Sequence, residues 1–189
     1  CAARIYNIDL ASAEITVEAN PDTVTDMLAA GLSSGGVNRL SLGLQSADLR
    51  QLQLLGRRHT PERAERAVVA ALCAGIDNIS VDIMLGIMEQ DVKSAVVTAE
   101  FAASLGVKHI SAYMLKVEKG TPLYNEREKY NIPGDDEVCD IYLNVCDRLN
   151  EHGLLQYEIS NFALPGFECR HNLKYWKLEP YIGIGPAAH

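Results

Sequence analysis

Five stretches of the chain alternate apolar and polar side chains with a period of two: EITVEAN (14–20), NRLSLGLQ (38–45), NISVDIML (78–85), HISAYML (109–115) and LQYEIS (155–160). All are rich in β-formers, and each predicts a strand. Between them the period lengthens to that of a helix. Thr60-Pro61-Glu62 reads as an N-cap, a proline at the first helical position and an acidic first turn. That helix carries Ala64, Ala67, Val68, Ala71 and Leu72 on one face and stops at Gly75. Val92, Ala95, Val96 and Ala99 mark a second helix that ends before Gly106. Val138, Tyr142, Val145 and Leu149 mark a third, opened by Asp135-Asp136-Glu137 and closed near Gly153. Shorter helices are expected over 26–34 and 47–55. Strands that alternate with helices imply right-handed crossovers and a parallel sheet, hence an α/β fold. The stretch 116–134, with Gly120, Pro122, Pro133 and Gly134, is the one long loop expected.

The parity of the strands says more than their number. Val17 and Ala19 oppose Thr16 and Glu18; Leu40, Leu42 and Leu44 oppose Ser41, Gly43 and Gln45. Ile79, Val81 and Ile83 oppose Ser80, Asp82 and Met84, and Ile110, Ala112 and Met114 oppose Ser111, Tyr113 and Leu115. In the fifth stretch Leu155, Tyr157 and Ile159 oppose Gln156, Glu158 and Ser160. The apolar faces belong under the helices. A closed eight-stranded barrel fills its centre with branched apolar side chains. Here the centre would receive Glu, Gln, Asp and Ser, at a cost on the order of several kcal/mol for each polar group left without a partner. The inner face is therefore expected to be wet or to hold a polar ligand. An antiparallel sheet with one solvated face would alternate equally well, but intervening helices disfavour it.

Composition narrows the function classes. The chain has 189 residues, 48% of them hydrophobic and 22% charged, as in an ordinary globular domain. A net charge of −8 argues against nucleic acid or an anionic membrane as a partner, and other membrane contact is left undetermined. Five cysteines at 1, 73, 139, 146 and 169 form no regular framework and read as reduced, cytoplasmic thiols. The chain opens on Cys1 rather than Met and stops in YIGIGPAAH, so both ends are expected to be cut.

Near the end lies HNLKYW (171–176), with the single tryptophan. It sets His171 and Asn172 just ahead of two adjacent large aromatics, Tyr175 and Trp176, which offer flat apolar surface. By residue type alone such a block is more often a piece of core capped by His171 than a ligand site.

ITVEANP, VNRLSLGLQS, LGRRHT, NISVDIMLG, HISAYMLKVEKGTPLY, YEISNFALPGFECRHNLKYW and YIGIGPAAH together resemble the radical S-adenosylmethionine (SAM) proteins related to oxygen-independent coproporphyrinogen III oxidase, and within them the heme-chaperone members. The resemblance runs along nearly the whole chain with the motifs in order. It implies a partial (β/α) barrel of the radical SAM type, with parallel strands, outer helices and an incomplete N-terminal side, so that 1–189 is one partial barrel domain. It implies SAM and a [4Fe–4S] cluster as cofactors, and heme through HNLKYW. Glu18 matches the position that meets the ammonium of SAM, Gln45 another SAM contact, Arg57 the position facing its carboxylate, and Asp82 the position that binds its ribose. His171, Asn172, Tyr175 and Trp176 match the heme block, with His171 as axial ligand.

Two departures stand out. The family turn Gly-Leu-Pro-Gly-Gln-Thr is GIMEQD (86–91) here, without its proline and second glycine. The three closely spaced cysteines that ligate the cluster are absent, so the fragment alone is expected to be inactive. The function implied is heme binding and delivery to an accepting protein. The alternative is a radical SAM coproporphyrinogen III dehydrogenase acting on a porphyrin precursor.

Overall fold

Four strands, β1 (Thr16–Ala19), β2 (Arg39–Gln45), β3 (Asn78–Leu85) and β4 (His109–Met114), pair in parallel in a computed structural model that describes residues 9–186. Cys1 lies outside the described residues. Two short strands, β5 (Leu155–Gln156) and β6 (Asn161–Ala163), complete one sheet in the order β1-β2-β3-β4-β6-β5. The sheet is open, with β1 and β5 at its edges.

The helices are α1 (Asp26–Ser34), α2 (Leu49–Leu54), α3 (Pro61–Cys73), α4 (Val92–Ser104), α5 (Pro122–Glu126), α6 (Asp135–Glu151) and α7 (Arg170–Trp176); α1, α2, α3, α4 and α6 lie close to their expected positions, whereas α5 and α7 are additional to those the periodicity predicts. Thr25 and Asp48 cap α1 and α2 by accepting from backbone amides, and Asp91 with Ser94 forms a reciprocal capping box on α4. Thr60 holds the cap position of α3 but makes no side-chain cap bond. The expected loop 116–134 contains α5 and a 3-10 turn, Arg127–Lys129.

One face of the sheet is dry. Leu40, Leu42, Leu44, Ile79, Val81, Ile83, Ile110 and Ala112 are fully buried, and each large side chain among them contributes about 1.5–3 kcal/mol by leaving water. Ala64, Ala67 and Ala71 on α3, and Ala95, Ala99 and Ala102 on α4, let the helix backbones come close to that layer. Ile141, Val145 and Leu149 bring α6 onto the same core.

The fifth predicted strand is corrected. LQYEIS is not a parallel strand with Leu155, Tyr157 and Ile159 on a buried face. Leu155 and Ile159 are exposed, and only Leu155–Gln156 is extended. The chain instead turns back so that Phe162, fully buried, faces Ile110, and β6 runs antiparallel to β4. Burying one phenylalanine outweighs the weak period-two signal of its exposed neighbours.

The GIMEQD turn is held by its own side chains. Gln90 is buried; it accepts from Gly86 N at 2.7 Å and donates to Met84 O at 3.0 Å. Glu89 takes the left-handed conformation (φ 59°) where the family pattern has glycine, and Arg50 holds its carboxylate with two bonds of 3.2 Å. Gly86 itself is required: a Cβ there would sit 2.8 Å from Val138.

Candidate functional site

The other face of the sheet is polar, and the parallel register aligns it. Glu18 lies beside Ser41, Gly43 beside Asp82, and Asp82 beside Ser111. The face has two ends. Gln45 is the last residue of β2, whereas Arg39 and His109 are the first residues of β2 and β4.

At the carboxyl end a cavity of about 280 Å³ is lined by Glu18, Ala19, Asn20, Ser41, Gly43, Gln45, Arg57 and Asp82. The four residues expected to meet SAM thus share one concavity. Gln45 reaches it through a bulge: the β2–β3 register shifts between Gly43 and Gln45, and Gln45 adopts φ 69°. His59, buried, lies 3.0 Å from the carbonyl of Leu44 and braces the bulge. The Gln45 amide folds over Gly43, where a Cβ would stand 2.7 Å from Nε2. Arg57 is exposed, as is Arg58.

Asp82 accepts from Ser41 Oγ at 3.2 Å. Burial pushes its pKa up, the nearby Glu18 charge adds to this, and the hydroxyls of Ser111 and Ser41 and the Arg39 guanidinium oppose it. Its partners are strand hydroxyls rather than loop amides, so its carboxylate faces the cavity.

At the amino end a second cavity of about 170 Å³ shares Glu18, Ser41 and Asp82 with the first and extends to Arg39, His109, Ser111, Tyr113, Asn161, Cys169, His171, Asn172 and Tyr175. Here the side chains are bonded to one another. His109 Nδ1 lies 2.8 Å from Ser80 Oγ, and its Nε2 lies 2.8 Å from Tyr157 Oη. Burial, with a smaller push from Arg39, lowers the His109 pKa to about 3, and burial raises that of Tyr157 to about 12. Both stay neutral across ordinary pH. Tyr157 Oη accepts from Cys169 N at 3.3 Å and faces Asn172 Nδ2 at 3.5 Å; Asn172 also donates to Glu158 at 3.3 Å. Asn161 donates to the same Glu158 oxygen.

Helix α7 is tied down by a residue far away in sequence. Glu14 accepts from Arg170 N (3.2 Å) and His171 N (3.3 Å), placing a carboxylate on the helix N-terminus, and Arg170 donates to Ser12 O at 2.8 Å. This aims His171, Asn172 and Tyr175 at the cavity. His171 Nε2 lies 3.1 Å from Tyr175 Oη. HNLKYW is therefore not core: Tyr175 is 44% exposed and Trp176 52%. Trp176 stands next to the cavity-lining residues but is not itself among those lining the cavity that His171, Asn172 and Tyr175 share.

Arg39, His109, Tyr157 and Glu14 were missed in the sequence. Arg39 and His109 carried a signal, since each shares the parity of the polar residue two places on. Tyr157 and Glu14 carried none, because they act across the hairpin and between the two ends of the chain. No group of three or more His, Cys, Asp or Glu that could hold a metal occurs among the described residues. Cys73 and Cys139 are exposed, Cys146 is buried and Cys169 is partly buried, each apart from the others.

The family description Radical SAM superfamily matches residues 2–102. Heme chaperone HemW of Escherichia coli (strain K12) is 40% identical over 179 residues, 95% of this chain and 47% of that protein. Heme chaperone HemW of Bacillus subtilis (strain 168) is 38% identical over 178 residues, 93% of this chain and 47% of that protein. The chain thus spans about half the length of the curated relatives it matches. Among solved structures, coproporphyrinogen III oxidase (HemN) from Escherichia coli aligns with a TM-score of 0.74 at 21% identity, over 88% of this chain and 38% of that one. At that identity the likeness speaks for the fold alone.

Proposed function

The chain belongs to the radical SAM superfamily, and from that membership we propose that it is part of a heme-binding and heme-delivering protein that also binds SAM. One observation carries the reading. The SAM-type residues and the His171 helix address a single polar face, through cavities that share Glu18, Ser41 and Asp82.

The upper cavity, at the carboxyl end of the strands, fits SAM, and the cavity at the amino end is the lower one. Glu18 offers a carboxylate to the ammonium, Arg57 a guanidinium to the carboxylate, Asp82 an acceptor to the ribose hydroxyls and Gln45 an amide to the remaining polar edge. Held there by Glu18, Gln45, Arg57 and Asp82, SAM would supply the radical chemistry of the family. The described residues do not fit a [4Fe–4S] cluster, since no cysteine has a second beside it. The cluster belongs to the reading through the family, with ligands outside this set.

The lower cavity fits one edge of a heme. Asn172 is pre-positioned by Tyr157 and Glu158. His171 can present Nε2 to iron by giving up its bond to Tyr175, which then offers its ring. The relatives at 38–40% identity bear the name heme chaperone, which favours this reading over the dehydrogenase. We further place the whole of 1–189 in one partial barrel domain, the protein in the cytoplasm, and a heme-accepting protein as its partner. No helix among the described residues is long and apolar enough to cross a membrane.

Hemin titrated into the full-length protein and its His171→Ala variant tests the reading. A shifted Soret band and weaker binding in the variant are expected. An identical spectrum and affinity would remove His171 as axial ligand.

A further inference from the structure

Arg39 is the one cation of the lower cavity, and its environment is unusual. It is 4% exposed, and its Nε has no hydrogen-bond partner. Among the described residues no carboxylate lies within ion-pair distance of its guanidinium. Burying an arginine unpaired is costly, and folded proteins seldom leave one so. Three of the surrounding acids are engaged elsewhere: Glu14 holds the α7 amides, Asp82 takes the serine hydroxyls, and Glu158 takes Asn161 and Asn172; Glu18, which lines the same cavities, is exposed to water and makes no ion pair with Arg39. The guanidinium lines both the 170 Å³ cavity and an adjoining one of about 480 Å³, with His171 and Cys169 across from it in each.

We propose that Arg39 is a carboxylate-binding residue, whose buried guanidinium receives the carboxylate of a ligand lying against the His171 face of α7. A guanidinium presents paired N–H donors in the geometry of a carboxylate, and in a water-poor cavity the pairing is strong. Two ligands of the proposed function bring an aliphatic carboxylate: the propionates of heme and the methionyl end of SAM. If SAM is the source, Arg39 rather than the exposed Arg57 is its carboxylate partner. The inference rests on the function proposed above.

The test uses the full-length protein, titrated with hemin, with hemin dimethyl ester and with SAM. For a propionate, wild type binds hemin about ten- to a hundredfold tighter than the ester, Arg39→Gln abolishes that margin without moving the Soret band, and Arg39→Lys keeps part of it. For the methionyl carboxylate, the margin is absent and both variants weaken SAM by about tenfold. Unchanged SAM affinity in Arg39→Lys, together with equal affinity of wild type for hemin and its ester, overturns the proposal even if Arg39→Gln does not fold. Failure of heme ligation is read separately, from the Soret band of His171→Ala, and leaves the SAM arm standing.

Discussion

The two ends of the polar face are built from the same residue types and behave oppositely. At the carboxyl end Glu18 and Arg57 are exposed and unpaired among the described residues, and Gln45 is held ready by a bulge. At the amino end Ser80, His109, Tyr157, Asn172 and Glu158 satisfy one another in a chain of hydrogen bonds, and Glu14 fixes α7. The first end leaves its hydrogen-bonding capacity to a ligand. The second spends most of it internally, which makes a rigid wall that leaves Arg39 Nε and the buried Asn78 Oδ1 without partners. A site of the first kind can be altered with little loss of stability, whereas one of the second kind cannot.

The sharpest way to break this contrast is acid. Folding lowers the His109 pKa from 6.5 to about 3, so the fold favours the neutral imidazole. The stability this contributes is complete above about pH 6.5 and drains away as pH falls toward about 3, a loss on the order of a few kcal/mol. Denaturant unfolding followed from about pH 7 to about pH 4 should show that slope, and His109→Gln, which cannot titrate, should flatten it while being less stable at neutral pH. An unchanged slope would mean that the amino end is not the rigid one.

Asp82 separates the two roles by sign. Its pKa is raised, mainly by burial, so the fold favours the protonated acid. The associated stability is present below the unfolded pKa and lost as pH rises through the folded value. The buried carboxylate is thus a growing burden on the ligand-free protein as pH rises. Asp82→Asn should therefore raise Tm without ligand and weaken SAM by about tenfold, about 1.4 kcal/mol. A fall in both would make Asp82 a structural residue.

The smallest effect is expected at Glu14. Glu14→Ala should cost about 1 kcal/mol, the usual worth of a helix N-terminal acceptor. Faster hydrogen exchange at the Arg170 and His171 amides should accompany it, with SAM affinity unchanged. Protection equal to wild type would mean that α7 is held by other contacts.

Much of the carboxyl end was legible in the sequence because period two survives any context. Glu18 and Asp82 reach the same face through strand parity alone, and Gln45 reaches it only because a bulge and Gly43 re-aim it. Arg57 stands on a loop, and its meeting with the other three came from the resemblance. The amino end was mostly hidden. LQYEIS alternates as a strand should, yet Phe162, just beyond it, decides the path of the chain. Trp176 looked as well placed as Tyr175 by spacing, and only the setting of α7 on Glu14 turned one toward the cavity and not the other.

By itself, then, the amino-acid order determined the four parallel strands, the helices α1 to α4 and α6, the dry and wet faces and the family, since each follows from local periodicity or from an ordered set of motifs. The tertiary structure decided which polar groups are spent on one another and which remain free. That depends on distances between segments remote in the chain, such as Glu14 to His171 and His109 to Tyr157. Hydrogen bonding falls off within an ångström or so of its optimum, and no periodicity along a chain encodes separations that fine.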